Sequence, residues 1–446
     1  MFKRVLVANR GAVAARLQRA LREMSIVPVM VHSEADAELP YIRHAEEAHC
    51  IGPAPVTQSY LNAAVLLEVA RKAKVDALHP GYGFLSEKAA FASAVEESGF
   101  TFIGPPARWL EAMGHKTRAR DLMVQAGMPV APSSPVLEAD LDVRVAQADA
   151  MGYPLLVKPA GGGGGIGMIA VHGRDELRVA LDRAAGLAQR MFACADVYVE
   201  RLIEKPRHVE IQILADRHGN VAHLFERDCS VQRRHQKVVE EAAAPGIDRS
   251  RLDELADRSA HVLSQMGYQN IGTVETLYSE ASGFSFLEMN TRLQVEHGVT
   301  EAITGIDIVH AQVRLAHGAK LMDVLHARPS ITGHALQLRI YAEDPVRFMP
   351  SPGELTHFDL PRDGVRVETG YARGNRVTPF YDPMLAKLIV HGTDRAEAIA
   401  RALDALAAVR IEGVKHNVEF LKKVLRSEAF VAGAHDTGLA KELASV

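Results

Sequence analysis

From Glu288 the chain reads E-M-N-T-R-L-Q-V-E-H-G-V-T-E, and its first half alternates strictly. Glu288, Asn290 and Arg292 fall two apart, so an extended strand points all three to one face. Met289, Thr291 and Leu293 point to the other, where they can pack on a core. A carboxylate, an amide and a guanidinium on one face form a polar site rather than a solvated edge. Upstream, G-T-V-E-T-L-Y (272–278) is strand-like, Ser282-Gly283 marks a turn, and F-S-F-L-E (284–288) is strand-like again. A four-residue loop at Glu280 to Gly283 sets Glu275 opposite Glu288. Opposed carboxylates have Cβ atoms about 5 Å apart and repel. A divalent cation removes that repulsion. Two carboxylates and the Asn290 amide are all-oxygen ligands that suit Mg²⁺, which commonly also takes phosphate oxygens.

The chain opens with an apolar strand at Val5 to Ala8, a turn at Asn9-Arg10-Gly11, a helix over 12–24 and a strand over 26–32. This pattern predicts a doubly wound α/β unit. The first turn lacks G-x-G-x-x-G, so the case for a dinucleotide is weak. Arg16, Arg19 and Glu23 share a helix face, read as solvated. V-D-A-L-H-P-G-Y-G-F-L-S-E (75–87) reads as a strand, a glycine turn and the start of a helix. A first boundary falls near residue 114, where M-G-H-K-T-R-A-R-D-L-M-V-Q-A-G-M-P-V opens a helix that Gly127 and Pro129 end. Next, Y-P-L-L-V-K-P-A-G-G-G-G-G-I-G-M-I-A-V is strand, glycine loop, strand. No Gly-Lys-Ser/Thr and no helix follow the glycines, which excludes both a P-loop and a Rossmann turn. Five consecutive glycines cost much backbone entropy. A lid whose backbone N–H groups wrap a phosphate would repay it, with Lys158 on the entering strand as the phosphate lysine. Strands are expected at 196–204 and 208–216, a helix at 251–266, a third domain from about 330 with a strand at 335–345, and a helix near 394–408.

A length of 446 residues implies two or three domains. Lys and Arg number 51 against 55 Asp and Glu, a net charge of -4, so bulk charge favours neither nucleic acid nor an acidic membrane surface. The basic run E-R-D-C-S-V-Q-R-R-H-Q-K (226–237) lacks interleaved aromatics and suits an anionic substrate better than a nucleic acid. No apolar run is long enough to span a membrane, and the N-terminus does not read as a signal peptide. Three scattered cysteines match neither a disulfide framework nor a zinc site and fit a reducing cytoplasm.

The stretch E-M-N-T-R-L-Q-V-E-H-x-V-T-E, with M-G-H-K upstream and R-R-H-Q-K between, resembles the biotin carboxylase family of the ATP-grasp superfamily, over essentially the whole chain. The resemblance implies an α/β fold: an N-terminal doubly wound domain (1–113), an ATP-grasp domain (114–330) with a glycine-rich lid at about 131–203, and a C-terminal mixed α+β domain (331–446). It implies that ATP and bicarbonate give carboxyphosphate, whose carboxyl group passes to biotin, as the first half-reaction of an acyl-CoA carboxylase. By the same resemblance Lys116, Lys158, Gly164 and Gly165 meet the ATP phosphates. Glu200, Arg201, the Leu202 backbone and Ile203 meet the adenine, and His208, Gln232 and His235 contact the nucleotide. Glu275, Glu288 and Asn290 hold Mg²⁺ or Mn²⁺. Lys237, Arg292, Gln294, Val295 and Glu296 take bicarbonate, with Glu296 as base, and Tyr82 and Arg339 face biotin. The implied partners are a biotin carboxyl carrier protein, carboxyltransferase subunits and a second copy of the chain, meeting it through the Arg16, Arg19 and Glu23 face. No M-K-M occurs in the sequence, so the chain itself should not be biotinylated. Two departures stand out. The family's R-G-M-R after the glycines is Ile166-Gly167-Met168-Ile169 here, and arginines at 166 and 169 should lower the Michaelis constant for ATP. Gly298 replaces a proline after Glu-His and should loosen the segment carrying Glu296.

Overall fold

In the computed structural model, which describes residues 1–160, 167–192 and 194–444, the N-terminal strands are β1 (Arg4–Val7), β2 (Val27–His32), β3 (Glu47–Cys50), β4 (Ala77–His79) and β5 (Thr101–Phe102). They form a parallel sheet in the order β3-β2-β1-β4-β5. Val5 and Val7 enter one core and Leu6 another, so β1 is buried on both faces and reads as an unbroken apolar run. Strand order reverses between β1 and β4. Loops leaving such a switch point line a crevice. Here Asn9 Nδ2 ties them together, donating to Pro80 O at 2.6 Å and Tyr82 O at 2.8 Å.

Helix Gly11–Glu23 corrects one expectation. Arg16 is not solvated but 2% exposed, beside Asp307 (2.6 Å), Glu301 (3.2 Å) and Glu368 (3.5 Å). Burying a guanidinium requires such partners. Arg19 and Glu23 do stay at the surface. A helix follows Pro105-Pro106 over Ala107–Gly114 and includes Met113, so the helix expected to open at Met113 instead starts at Lys116 and runs to Gln125, with His115 between the two.

The lid contains β6 (Leu155–Pro159), β7 (Ile169–Val171) and β8 (Val197–Arg201), antiparallel in the order β7-β6-β8. Helix Arg174–Phe192 covers it, burying Leu155, Val157, Val171, Leu181, Val197 and Val199 in a separate small core.

The site rests on a third, antiparallel sheet. Its first six strands run β13 (Gly283–Asn290), β12 (Asn270–Ser279), β9 (Arg207–Ala215), β10 (Val221–Arg233), β11 (Gln236–Ala242) and β14 (His334–Tyr341). Met384–Gly392 and Arg366–Thr369 complete it, so one sheet crosses the expected boundary near 330 through the β11–β14 pair. The basic run 226–237 is the end of β10 and its turn into β11, where Arg234 and His235 take left-handed φ of 49° and 66°. Among the described residues no helix is long and apolar enough to cross a membrane.

Candidate active site

The hairpin β12–β13 decides where the acidic groups point. Near its loop Ser279 pairs with Gly283 and Thr276 with Phe286; beyond a bulge at Leu287, Glu275 pairs with Glu288 and Thr273 with Asn290. The loop is therefore one residue shorter than expected, and the bulge restores the register. Without it Glu288 would oppose Val274, a core residue, because a one-residue slip turns every side chain over. With it, Glu275, Glu288 and Asn290 line one cavity, while Val274 and Met289 pack inside.

That cavity, about 520 Å³, lies between the lid and the large sheet. Lys158, Glu200, Arg201, Leu202 and Ile203 line its lid side; His208, Gln232, His235, Lys237, Arg292, Gln294, Val295, Glu296 and Arg339 line the sheet side. Tyr82 stands apart from this lining, its ring 6.0 Å from Lys387 Nζ, and its buried hydroxyl has no hydrogen-bond partner among the described residues. Gly164, Gly165 and Ile166 fall outside the described residues; Lys116 begins helix Lys116–Gln125.

At the sheet end, charges interleave. Lys237 Nζ lies 2.6 Å from Glu210, 2.8 Å from Glu275 and 2.7 Å from Glu296. Burial opposes its charge, but these three carboxylates outweigh burial and raise its pKa well above the ordinary lysine value. Arg339 pairs with Glu240 and reaches Glu296 at 3.0 Å. Burial pushes the Glu296 carboxyl up, yet Lys237, Arg339 and Arg227 together hold it well below the usual carboxylate range. It stays an anion. Glu275 is lowered likewise: burial opposes ionisation, and Lys237 and His208 override it. His208 Nε2 lies 3.1 Å from Glu275, and its Nδ1 meets Gln232 at 2.8 Å.

Arg292 is held on several sides. Its Nε donates to Glu87 at 2.8 Å, Nη1 to Gln294 Oε1 at 2.8 Å, and Nη2 to Asn290 Oδ1 at 2.7 Å. Gln294 in turn donates to Glu275 at 3.2 Å. Glu275, Glu288 and Asn290 offer only oxygen donors toward one cavity, the donor chemistry of a hard divalent cation; they fit Mg²⁺ or Mn²⁺.

On the lid, Lys158 Nζ pairs with Glu200 at 2.5 Å. Arg201 turns its guanidinium to the Met151 and Tyr153 carbonyls and spends its amide on Pro132 O; the Leu202 amide donates to Pro154 O at 3.0 Å. That refines the expected adenine edge. The Leu202 carbonyl and the Ile203 amide remain for it, and no partner is seen for the latter among the described residues. Gly298, expected to loosen its surroundings, is the second residue of helix His297–Thr304, with Ile389 Cδ1 only 2.4 Å from where a Cβ would stand. Ile389 fills the vacated room.

Sequence reasoning missed Glu87, Glu210, Arg227, Glu240 and Lys387. Glu210 had a signal, since H-V-E-I-Q puts His208, Glu210 and Gln212 on one face. Arg227 had none: it is fully buried and bonds Glu210, Gln212, Thr273 and Thr300, partners spread over the chain.

Comparison with known proteins agrees with the three-part fold. Residues 1–110 match the model of the biotin carboxylase N-terminal domain, 115–324 the carbamoyl-phosphate synthase L chain ATP-binding domain, and 337–442 the biotin carboxylase C-terminal domain. A biotin carboxylase of Halalkalibacterium halodurans is 48% identical over 438 residues, covering 98% of this chain and 97% of that one. A biotin carboxylase of Campylobacter jejuni, solved with a β,γ-ATP ligand, superposes with a TM-score of 0.95 at 37% identity, covering 99% of both chains. The biotin carboxylase domain dimer of Hydrogenobacter thermophilus 2-oxoglutarate carboxylase, solved with MgADP, ADP and bicarbonate, gives 0.93 at 38% identity, covering 99% of this chain and 98% of that one. The chain belongs to the biotin carboxylase family of ATP-dependent ATP-grasp ligases.

Proposed function

We propose that the chain performs the first half-reaction of an acyl-CoA carboxylase: ATP and bicarbonate give carboxyphosphate and ADP, and the carboxyl group passes to N1′ of biotin on a carrier protein. The observation that carries this reading is the convergence of Lys237, Arg292, Glu296 and Arg339 at one end of a cavity whose other end is lined by Lys158, Glu200 and Ile203.

Bicarbonate is a weak nucleophile. The Arg292 fork grips two of its oxygens, with Lys237, Gln294 and the Val295 amide beside them. Glu296, kept ionised by its cations, takes the bicarbonate proton as an oxygen attacks the γ-phosphorus and the bond to ADP breaks. The new anion draws Lys237 from Glu296, which raises the carboxylate's basicity at that moment. Lys116 and Lys158 meet the phosphates, a role the family resemblance extends to Gly164 and Gly165. Glu200, Arg201, Leu202 and Ile203 frame the adenine, and His208, Gln232 and His235 the rest of the nucleotide. Glu275, Glu288 and Asn290 would hold Mg²⁺ or Mn²⁺, which when bound offsets charge growing on phosphate oxygens. Carboxyphosphate then loses its phosphate, which takes the N1′ proton of biotin. Arg339 balances the negative charge on the ureido oxygen, with Tyr82 lining the ring's approach. Assembly is as a homodimer through the face where Arg19 and Glu23 remain exposed, together with carrier and carboxyltransferase subunits.

The test is transfer of radiolabel from bicarbonate to a purified biotinylated carrier, with ATP and Mg²⁺. Label should appear on the carrier, and free biotin should be a far poorer acceptor, because tethering raises effective concentration. ATP hydrolysis indifferent to biotin would overturn the reading. The likeness to a 2-oxoglutarate carboxylase domain favours a second final acceptor, a 2-oxo acid. Adding carboxyltransferase with an acyl-CoA or with a 2-oxo acid decides between them.

A further inference from the structure

The segment 291–296 carries Arg292 and Glu296 yet forms neither helix nor strand. Its geometry is imposed by groups from elsewhere in the chain. At its far end, Lys387 Nζ donates to Val295 O at 2.8 Å. At its near end, Glu87 does the holding: Oε1 accepts the Thr291 amide at 3.2 Å and Oε2 accepts Arg292 Nε at 2.8 Å, from 204 and 205 residues away. Glu87 belongs to the loop between β4 and helix Ala89–Glu97, which leaves the parallel sheet at its switch point. The Arg292 pKa is raised: burial opposes its charge, and Glu87 is the foremost of the groups that outweigh burial.

We propose that Glu87 is a positioning residue for the bicarbonate step. By taking Nε it fixes the guanidinium plane and leaves Nη1 and Nη2 to the cavity side, where their present partners Gln294 and Asn290 both line the wall. A bidentate grip on a small planar anion depends on that plane, since both N–H directions must meet oxygens together. Without Glu87 the guanidinium turns about its own stem. The same loop carries Tyr82, so a single turn of chain serves the biotin side and the bicarbonate side. The inference rests on reading Arg292 as the bicarbonate grip.

The experiment is steady-state kinetics of the full chain with biotinylated carrier, comparing Glu87→Gln, Glu87→Ala, Arg292→Ala and the double Glu87→Ala/Arg292→Ala variant. A charged hydrogen bond on a partly exposed carboxylate should be worth about tenfold in the Michaelis constant for bicarbonate in Glu87→Ala. Glu87→Gln, which keeps an acceptor oxygen, should fall between Ala and the parent. The constant for ATP should stay within about twofold, and the double variant should be no worse than Arg292→Ala, because the two groups act as one. An unchanged bicarbonate constant, equal rises in both constants, or additive losses in the double variant would each overturn the positioning role. If Arg292→Ala itself leaves the bicarbonate constant unchanged, it is the reading of Arg292 that falls. If it raises the constant and the Glu87 variants do not, only the Glu87 role falls.

Discussion

The proposed reaction asks Glu296 to be an anion and a base at once. Its two hydrogen-bonded cations, Lys237 and Arg339, secure the first role and delay the second. Glu296→Gln keeps the shape but accepts no proton, so biotin carboxylation should fall by about 10²–10⁴-fold while directly titrated ATP binding stays nearly intact. Carboxylation retained at fixed bicarbonate would remove Glu296 as the base. Since the carboxyl lies well below the usual range, the pH–rate profile should show no limb from it between about pH 5 and 8. At the hairpin, Glu288→Gln takes one negative ligand from a site with two, so half-maximal activity should need more Mg²⁺ and turnover should drop. A magnesium titration that overlays the parent's would refute the opposed-carboxylate argument. The shared face of Glu288, Asn290 and Arg292, which line one cavity, was legible because strand alternation is local. Arg16 was misread for the complementary reason. A 3.6-residue period places it among surface charges, and the carboxylates that bury it arrive 285 to 352 residues later.

At the scale of elements, the hairpin shows how a correct pairing can be reached through a wrong loop. Turn residues mark where a strand reverses, but a bulge has no marker in an apolar run such as F-S-F-L, so Leu287 could not be singled out. The lid differs from expectation more sharply. Ile169 opens β7, pairs with Val157 and packs against the lid core, so it is a packing residue and not an empty place for a phosphate-binding cation. Ile169→Arg should therefore destabilise the lid sheet by about 1–2 kcal/mol and raise the Michaelis constant for ATP. Hydrogen exchange over 155–201 should quicken in the variant. Unchanged exchange together with a lower constant would restore the view that the isoleucine weakens ATP binding. Arg201, which the family resemblance puts beside the adenine, lines the cavity and also braces the Met151 and Tyr153 carbonyls with its guanidinium.

Across the whole molecule, buried carboxylates held down by cations make stability pH-dependent in a definite direction. Burial opposes ionisation of Glu275, Glu296 and Glu368, and their cationic neighbours lower all three below the ordinary value. A carboxylate depressed in the folded state stabilises fully above its unfolded pKa, about 4.3, and loses that contribution as pH falls toward the folded value. Above that range burial sets two other groups against each other: it raises the Glu343 carboxyl to about 7, which favours the fold on acidification, and lowers the His79 imidazole to about 3, which disfavours it. The urea midpoint should fall below about pH 4.3, and a midpoint that rises on acidification below that point would contradict the ion-pair assignment. The sequence announced the parallel and antiparallel units through their apolar runs, but not that the large sheet continues through β14, since strand order is set by contacts 90 or more residues apart.

That continuity has a consequence for how such a chain can be rearranged. Cut between the ATP-binding and C-terminal matches, at residues 325–336, the first piece would keep β11 with Val239 to Ala242 stripped of their β14 partners. It would present an unsatisfied edge in the middle of what had been a sheet, and naked edges recruit other strands. Arg339, which lines the cavity, and Lys387, which holds the Val295 carbonyl, would leave with the second piece. Modules may be appended to this catalytic body, or a carrier delivered to it by diffusion or by fusion, but the body itself is indivisible: recombination that treats its three matched regions as beads on a string yields sticky halves.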